Sequence, residues 1–150
     1  MVYTILDCYT DEPAGLGVPP YLGTYPRYIA GYLNEDVSYI TIDDLRLWKK
    51  HNSIVKDTRL SQKTDITTYN LTINYNNIKN ILDGTDTLIV VLGVHVPGKY
   101  LSAMPGTLHE VIPMIKDLKC KKILTGPAVF GTQLFGGRFF EKADLSVFDK

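Results

Sequence analysis

Thr87-Leu-Ile-Val-Val-Leu-Gly-Val-His-Val-Pro-Gly-Lys99 is an apolar run that ends in Gly93, His95, Pro97 and Gly98. A strand apolar on both faces belongs in the interior of a parallel sheet. Small and polar residues at its carboxyl end stand where open α/β sheets receive ligands. Lys122-Ile-Leu-Thr-Gly-Pro-Ala128 repeats the arrangement and puts Thr125, Gly126 and Pro127 just past a second short buried strand. Two such ends predict one crevice, and no catalytic signature fills it.

Outward from these runs, Val2 to Cys8 reads as the first strand, followed by turn-rich sequence to Pro20. Helical spacing starts near Pro26, where Tyr28, Ile29, Tyr32 and Leu33 recur at three and four residues, and proline is tolerated in a first turn. Ser38 to Ile42 suits a second strand, after which Asp43 or Asp44 caps a brief helix with Leu45, Leu47 and Trp48. The polar stretch from His51 to Tyr75 reads as a surface insertion. Asn76 to Gly84 predicts a short helix with Ile78, Ile81 and Leu82 on one face and Gly84 as its stop. Thr107 and Glu110 form a capping-box pattern ahead of the stripe Val111, Met114, Ile115 and Leu118, with Pro113 expected to kink or delay that helix. A glycine-spaced loop from Gly126 to Gly137 then leads to a final strand around Leu145 to Phe148.

This alternation predicts an α/β domain, three-layered and Rossmann-like or flavodoxin-like, with a mainly parallel five-stranded sheet and helices on both faces. Residues 1–150 suit one domain with a real core. With no helix after the last candidate strand, the chain reads as the first domain of a longer protein, or else as one whose edge strand has an uncovered face.

Sixteen basic and sixteen acidic residues cancel, so no field or basic stripe points to nucleic acid. The cluster Lys116 to Lys122 reads as a helix end, where cations favour the dipole. Cys8 and Cys120 are isolated, which suits buried thiols in a reducing cytosol and predicts neither zinc nor an iron-sulfur cluster. No secretory leader precedes the first strand, and no apolar run approaches the roughly 20 residues a bilayer requires. The expectation is a cytoplasmic protein with no membrane contact, no metal site and no catalytic residue of its own.

His95 reads first as a histidine hydrogen-bonded to backbone and second as a ligand donor. Gly15 and Gly17 are loop glycines, because Pro19 and Pro20 spoil a phosphate-binding pattern. Asp7, Asp11 and Glu12 suit either a cation or solvated loop charge. Of Tyr9, Tyr21, Tyr25, Tyr28 and Tyr32, half are expected in the core, while loop members could stack on a flat ring.

Tyr3-Thr-Ile-Leu-Asp-Cys-Tyr-Thr10, followed by Pro19-Pro-Tyr-Leu-Gly-Thr-Tyr-Pro-Arg-Tyr-Ile-Ala-Gly-Tyr-Leu33, resembles the opening of the cobalamin (B12)-binding domains fused to radical S-adenosylmethionine (radical SAM) enzymes, with an organisation similar to that of an archaeal group. The likeness continues at Leu88 to Val94 and at Lys122-Ile-Leu-Thr-Gly-Pro127. The resemblance implies an N-terminal module that holds cobalamin at the strand ends. The 4Fe-4S cluster and S-adenosylmethionine would belong to a downstream radical SAM domain of the same polypeptide, since no Cys-x-x-x-Cys-x-x-Cys occurs here. Modules that ligate cobalt carry Asp-x-His-x-x-Gly, whereas Asp7-Cys-Tyr-Thr-Asp-Glu12 has Tyr9 in place of the histidine and Glu12 in place of the glycine, so cobalt without that ligand is implied. Gly93-Val-His95 lacks the family's hydroxyl, and Thr125-Gly126 keeps half of its glycine pair.

The predicted cofactor-binding residues are Tyr9 and Thr10 after the first strand, Gly93, His95 and Gly98 after the central one, and Thr125, Gly126 and Pro127 after the next. Gly136 and Gly137 complete a wall for a nucleotide-like tail. A second hypothesis is a degenerate Rossmann-like module that binds no cofactor and serves as a docking or substrate-gating surface. A flavin or nucleotide site ranks third, because the phosphate loop of the flavodoxin type is missing. One fold carries many functions, so the site must decide.

Overall fold

The computed structural model describes residues 1–8, 24–50, 58–60, 67–69, 75–95, 106–135 and 139–150. In chain order the elements are Tyr3–Asp7 (β1), Thr24–Leu33 (α1), Val37–Thr41 (β2), Ile42–Lys50 (α2), Thr58–Leu60 (β3), Thr67–Tyr69 (β4), Tyr75–Asp83 (α3), Thr87–Val91 (β5), Val94–His95 (β6), Leu108–Ile115 (α4), Lys121–Thr125 (β7), a 3-10 turn over Pro127–Phe130, Thr132–Phe135 (β8) and Phe139–Lys142 (β9). All five residues of β5 are buried, as its apolar run predicts.

β5 lies inside a parallel sheet of order β2-β1-β5-β7. Ile5 stands level with Tyr39 on one side and Ile89 on the other, and Ile89 stands level with Ile123. Alternation along each strand divides the core in two. Leu6, Ile40, Leu88, Val90, Leu92 and Leu124 pack with Leu45 of α2, Ile78 and Leu82 of α3, and Val111 and Ile115 of α4. Ile5, Ile89 and Val91 face the other way, toward Ile29, Ala30 and Leu33 of α1. Helices therefore cover both faces of an α/β sheet whose order is compatible with a Rossmann-like fold.

The sheet has four strands rather than the expected five. The expected strand at Leu145 to Phe148 is a turn. Ser146 donates its backbone N–H to Asp144 Oδ1 (2.9 Å) and its hydroxyl to Oδ2 (3.0 Å), and the Phe148 N–H returns to the Leu145 carbonyl (2.9 Å). Leu145, Val147 and Phe148 all pack on the larger core, which a pleated strand cannot achieve with adjacent residues. The outer edge of β7 is met instead by Asp149 and Lys150, through Asp149 N–H to Lys122 O and Leu124 N–H to Lys150 O, both 2.7 Å. The Asp149 carboxylate also accepts the Lys122 N–H at 2.7 Å.

Helix starts follow side-chain chemistry. Thr107 caps α4 by accepting the Glu110 N–H at 3.1 Å, as the pattern predicts, and α4 begins at Leu108, so Pro113 does not delay it. α2 departs from expectation, because Thr41 rather than Asp43 or Asp44 supplies the cap. The Asp44 N–H donates to Thr41 Oγ1 (3.3 Å), and Asp44 Oδ2 accepts the Thr41 N–H (2.8 Å). This reciprocal pair lets β2 pass into α2 with no loop. α3 closes where expected, with the Gly84 N–H on Asn80 O at 3.0 Å and a Lys79–Asp83 ion pair one turn apart.

Two regions read from sequence as loop contain strands. Within the polar insertion, β3 and β4 form an antiparallel pair. In the glycine-spaced segment, β8 pairs antiparallel with β9 and parallel with the two-residue β6, giving a three-stranded sheet that joins the connection after β5 to the one after β7. Among the described residues, no helix is long and apolar enough to cross a membrane.

Candidate functional site

Strand order reverses between β1 and β5, because the chain leaves β1 to build β2 on one side and later builds β5 on the other. Carboxyl ends at such a switch point splay their connections apart and leave a crevice. On the described residues this edge is formed by Asp7 at the end of β1 and Cys8 after it, and by Leu92 and Gly93 after β5. The Cys8 N–H donates to Val91 O at 2.9 Å, and the Gly106 N–H donates to Cys8 O at 2.7 Å. The residue that leads into α4 is thus strapped onto the end of β1. A Cβ at Gly106 would lie 3.0 Å from Ile42 and 3.2 Å from the Cys8 Cβ, so glycine makes the strap fit.

Polar groups around this edge are engaged. Asp7 is buried on the α1 side, where the Tyr39 hydroxyl donates to its Oδ2 at 2.8 Å. On the opposite side Arg46 of α2 grips Glu110 of α4 with two hydrogen bonds, Nε to Oε1 at 2.8 Å and the terminal nitrogen to Oε2 at 2.9 Å. Cys8 is fully buried, and burial first, with the Asp7 carboxylate second, pushes its thiol well above the ordinary value. A protonated, enclosed thiol is neither a nucleophile nor a metal ligand.

The gap between β5 and β7 is built differently. Leu92 N–H donates to Thr125 O at 3.0 Å, and Ala128 N–H returns to Leu92 O at 3.1 Å. This exchange needs Gly93 at φ 145° and Gly126 at φ 93°, a region that L side chains rarely adopt. A Cβ on Gly126 would lie 2.5 Å from Leu92 O, and one on Gly93 would lie 2.4 Å from Ala128 N and 2.7 Å from Pro127 Cβ. The room left by the missing side chains is taken by the protein's own backbone and Pro127.

Of the sequence-predicted site residues, Gly93, Thr125, Gly126 and Pro127 come together in this closed β5–β7 contact. His95 lies in β6, level with Phe135 of β8. Tyr9, Thr10, Gly98, Gly136 and Gly137 lie outside the described residues, as do Gly15, Gly17, Asp11 and Glu12. Among the described residues, no three His, Cys, Asp or Glu side chains are placed to hold a metal ion. The basic cluster read as a helix end starts at Lys116, the C-cap of α4, whose last turn holds no basic residue, while Lys121 and Lys122 lie in β7, and Lys122 Nζ donates to the turn carbonyls Leu118 O (2.6 Å) and Cys120 O (3.1 Å). Cys120 is half-buried, and burial raises its thiol while the Lys122 charge lowers it. Sequence reasoning missed Tyr39 and the Arg46–Glu110 pair. Neither has a local signal, since each joins elements far apart in the chain.

The chain is 39% identical over 149 residues to an uncharacterised protein of Methanocaldococcus jannaschii. It is 32% identical over 152 residues to an uncharacterised protein of Archaeoglobus fulgidus. These matches cover 96% and 99% of this chain but 22% and 23% of the relatives. The chain therefore spans about a fifth of the length of the curated relatives it matches. No protein-family model matches it, and no solved structure is significantly similar.

Proposed function

We propose that this chain is a three-layer Rossmann-like cofactor-binding module, without chemistry of its own, in a longer cytoplasmic protein, and that its cofactor is a corrinoid. The observation that carries this reading is the β2-β1-β5-β7 order. It puts the switch point between the carboxyl ends of β1 and β5, where Cys8 and Leu92 follow the strands. Free Cys8 and Cys120 suit a reducing compartment. The choice of cobalamin rests on the sequence resemblance. By the same resemblance, the remainder of the polypeptide is a downstream radical SAM domain holding a 4Fe-4S cluster and S-adenosylmethionine.

The described residues restrict where a corrinoid fits. A nucleotide tail has no passage between Gly93 and Gly126, so that part of the expected cradle does not fit the group. Among the described residues, the place this reading leaves for it is the β1–β5 end, beside the buried Asp7 and Cys8 and the Gly106 strap. Titration of the purified chain with hydroxocobalamin, followed by its visible spectrum, tests the reading. Saturable one-to-one binding supports it. No binding at roughly millimolar ligand, where an interaction of about 4 kcal/mol would register, removes it.

The closed Gly93–Gly126 contact favours one second reading, the degenerate module that binds no cofactor and serves its neighbour as a docking or gating surface. Full activity of the longer protein in a corrinoid-free preparation would select that reading.

A further inference from the structure

Among the described residues, helices cover the two faces of the sheet unequally. Strands about 4.8 Å apart make four of them wider than one helix of about 10 Å diameter. α2, α3 and α4 share the larger core, while α1 is the one described helix on the smaller. Over β7 this leaves Ile123 and Thr125 only half-buried.

α1 itself presents an unusual outer flank. Pro26 is buried and Ile29, Ala30 and Leu33 turn toward the sheet, whereas Tyr25, Tyr28 and Tyr32 are 57%, 75% and 91% exposed. At about 100° per residue, the three tyrosines fall within roughly 60° of arc and form a single stripe. Of the five early tyrosines, half of which are expected in the core, these three are not, and Tyr9 and Tyr21 lie outside the described residues.

Gly31 lies beside the stripe, next to Tyr32 and one turn from Tyr28. A Cβ there would meet nothing within 4 Å. Mid-helix glycine costs about 1 kcal/mol relative to alanine, and nothing among the described residues requires it. Gly31 therefore leaves room for backbone approaching from outside. Three tyrosines at these exposures offer roughly 350–550 Å², comparable to one side of a 600–1,500 Å² interdomain interface. Tyrosine also dominates interface centres, since it carries large apolar area and a hydroxyl at low entropic cost.

We propose that the Tyr25–Tyr28–Tyr32 flank of α1, with Gly31, is the surface on which another domain of the same polypeptide docks. The relatives' length says what covers it, because more than three-quarters of each lies outside the matching segment. The matching face is apolar, with carbonyl or carboxylate oxygens placed for three phenol hydroxyls and a backbone segment close to Gly31. This rests on the reading of the chain as one module of a longer protein and not on the identity of its cofactor.

Hydroxyl-radical footprinting of the whole polypeptide tests it, with the urea-unfolded polypeptide as reference for each tyrosine. The expected result is oxidation at Tyr25, Tyr28 and Tyr32 slowed by about tenfold, as for a contact closed nine-tenths of the time. The protection should be independent of protein concentration. Replacing all three (Tyr25→Gln, Tyr28→Gln, Tyr32→Gln) should raise the radius of gyration in X-ray scattering while circular dichroism stays unchanged. Oxidation close to the unfolded rate overturns the proposal. So does protection lost on dilution, which marks a second copy, or a gene that encodes nothing beyond these residues. Hydroxocobalamin titration of the same samples keeps the two proposals apart. Protection without cobalamin binding leaves the docking surface standing and removes the corrinoid, and binding without protection does the reverse.

Discussion

The β5–β7 and β1–β5 ends of the sheet occupy the same edge and are closed by different means. Between β5 and β7, two glycines at positive φ let backbone touch backbone, so the seal is made of main chain and the rigid Pro127 ring. Between β1 and β5, Cys8 donates to Val91 O and accepts from Gly106 N–H, flanked by the Asp7–Tyr39 and Arg46–Glu110 contacts. The first gap is part of the fold, and the second is held by hydrogen bonds and side-chain contacts with no positive-φ backbone in the contact. A strand-end glycine is thus no evidence of a ligand until what fills the space of its Cβ is known.

The largest expected effect lies in the sealed gap. Gly126→Ala forces a side chain into positive φ and against the Leu92 carbonyl, and should destabilise the fold by about 3 kcal/mol or more in urea unfolding. Gly93→Ala should behave alike. A loss below about 1 kcal/mol at both would show that the contact is loose and would break the distinction between the two ends. Because Gly126 is structural, a bulky blocking residue there would report unfolding rather than ligand exclusion.

Glu110→Gln comes next. Both partners of the Arg46 pair are about one-fifth exposed, so solvent screens the charge, and the expected cost is about 1–2 kcal/mol. Thr107→Ala removes the α4 cap and should cost about 1 kcal/mol. Together they measure how firmly α4, and with it the Gly106 strap, is held. Changes within about 0.3 kcal/mol for both would mean that the strap is anchored by something else.

The smallest effect concerns Cys8. Its thiol is raised in the folded chain by burial, so the folded state holds the proton more tightly than the unfolded state does. That contribution is present below the unfolded value near 9 and is lost as pH rises toward the folded value. Stability should therefore decline on the alkaline side, and less so in Cys8→Ala than in the parent chain. A thiol reagent at neutral pH should react with Cys120 before Cys8. Rapid modification of Cys8 in the folded protein would show the β1–β5 end already open.

What the sequence revealed was local. The apolar run of β5, the Thr107–Glu110 cap and the Gly84 stop each depend on neighbours within a few residues, and each appears as read. Gly136-Gly137 between Thr132-Gln-Leu-Phe135 and Phe139-Phe-Glu-Lys142 is also a hairpin signal, and the strands on either side of it pair antiparallel. Leu145 to Phe148 has strand composition, but Asp144 and Ser146 turn the chain with side-chain hydrogen bonds. Tyrosine spacing located α1 without orienting its stripe, because a phenol suits either a core or an interface. The Gly93–Gly126 contact joins residues 33 apart in sequence, beyond the reach of any local pattern.

Hydrogen exchange on the folded chain, with and without hydroxocobalamin, tests the difference between the two ends most directly. The account predicts that ligand slows exchange in peptides carrying Asp7–Cys8 and Gly106–Leu108. It also predicts that those carrying Gly126–Ala128, already sealed, stay unchanged. Slowing confined to Gly126–Ala128, or no slowing at saturating ligand, would contradict it.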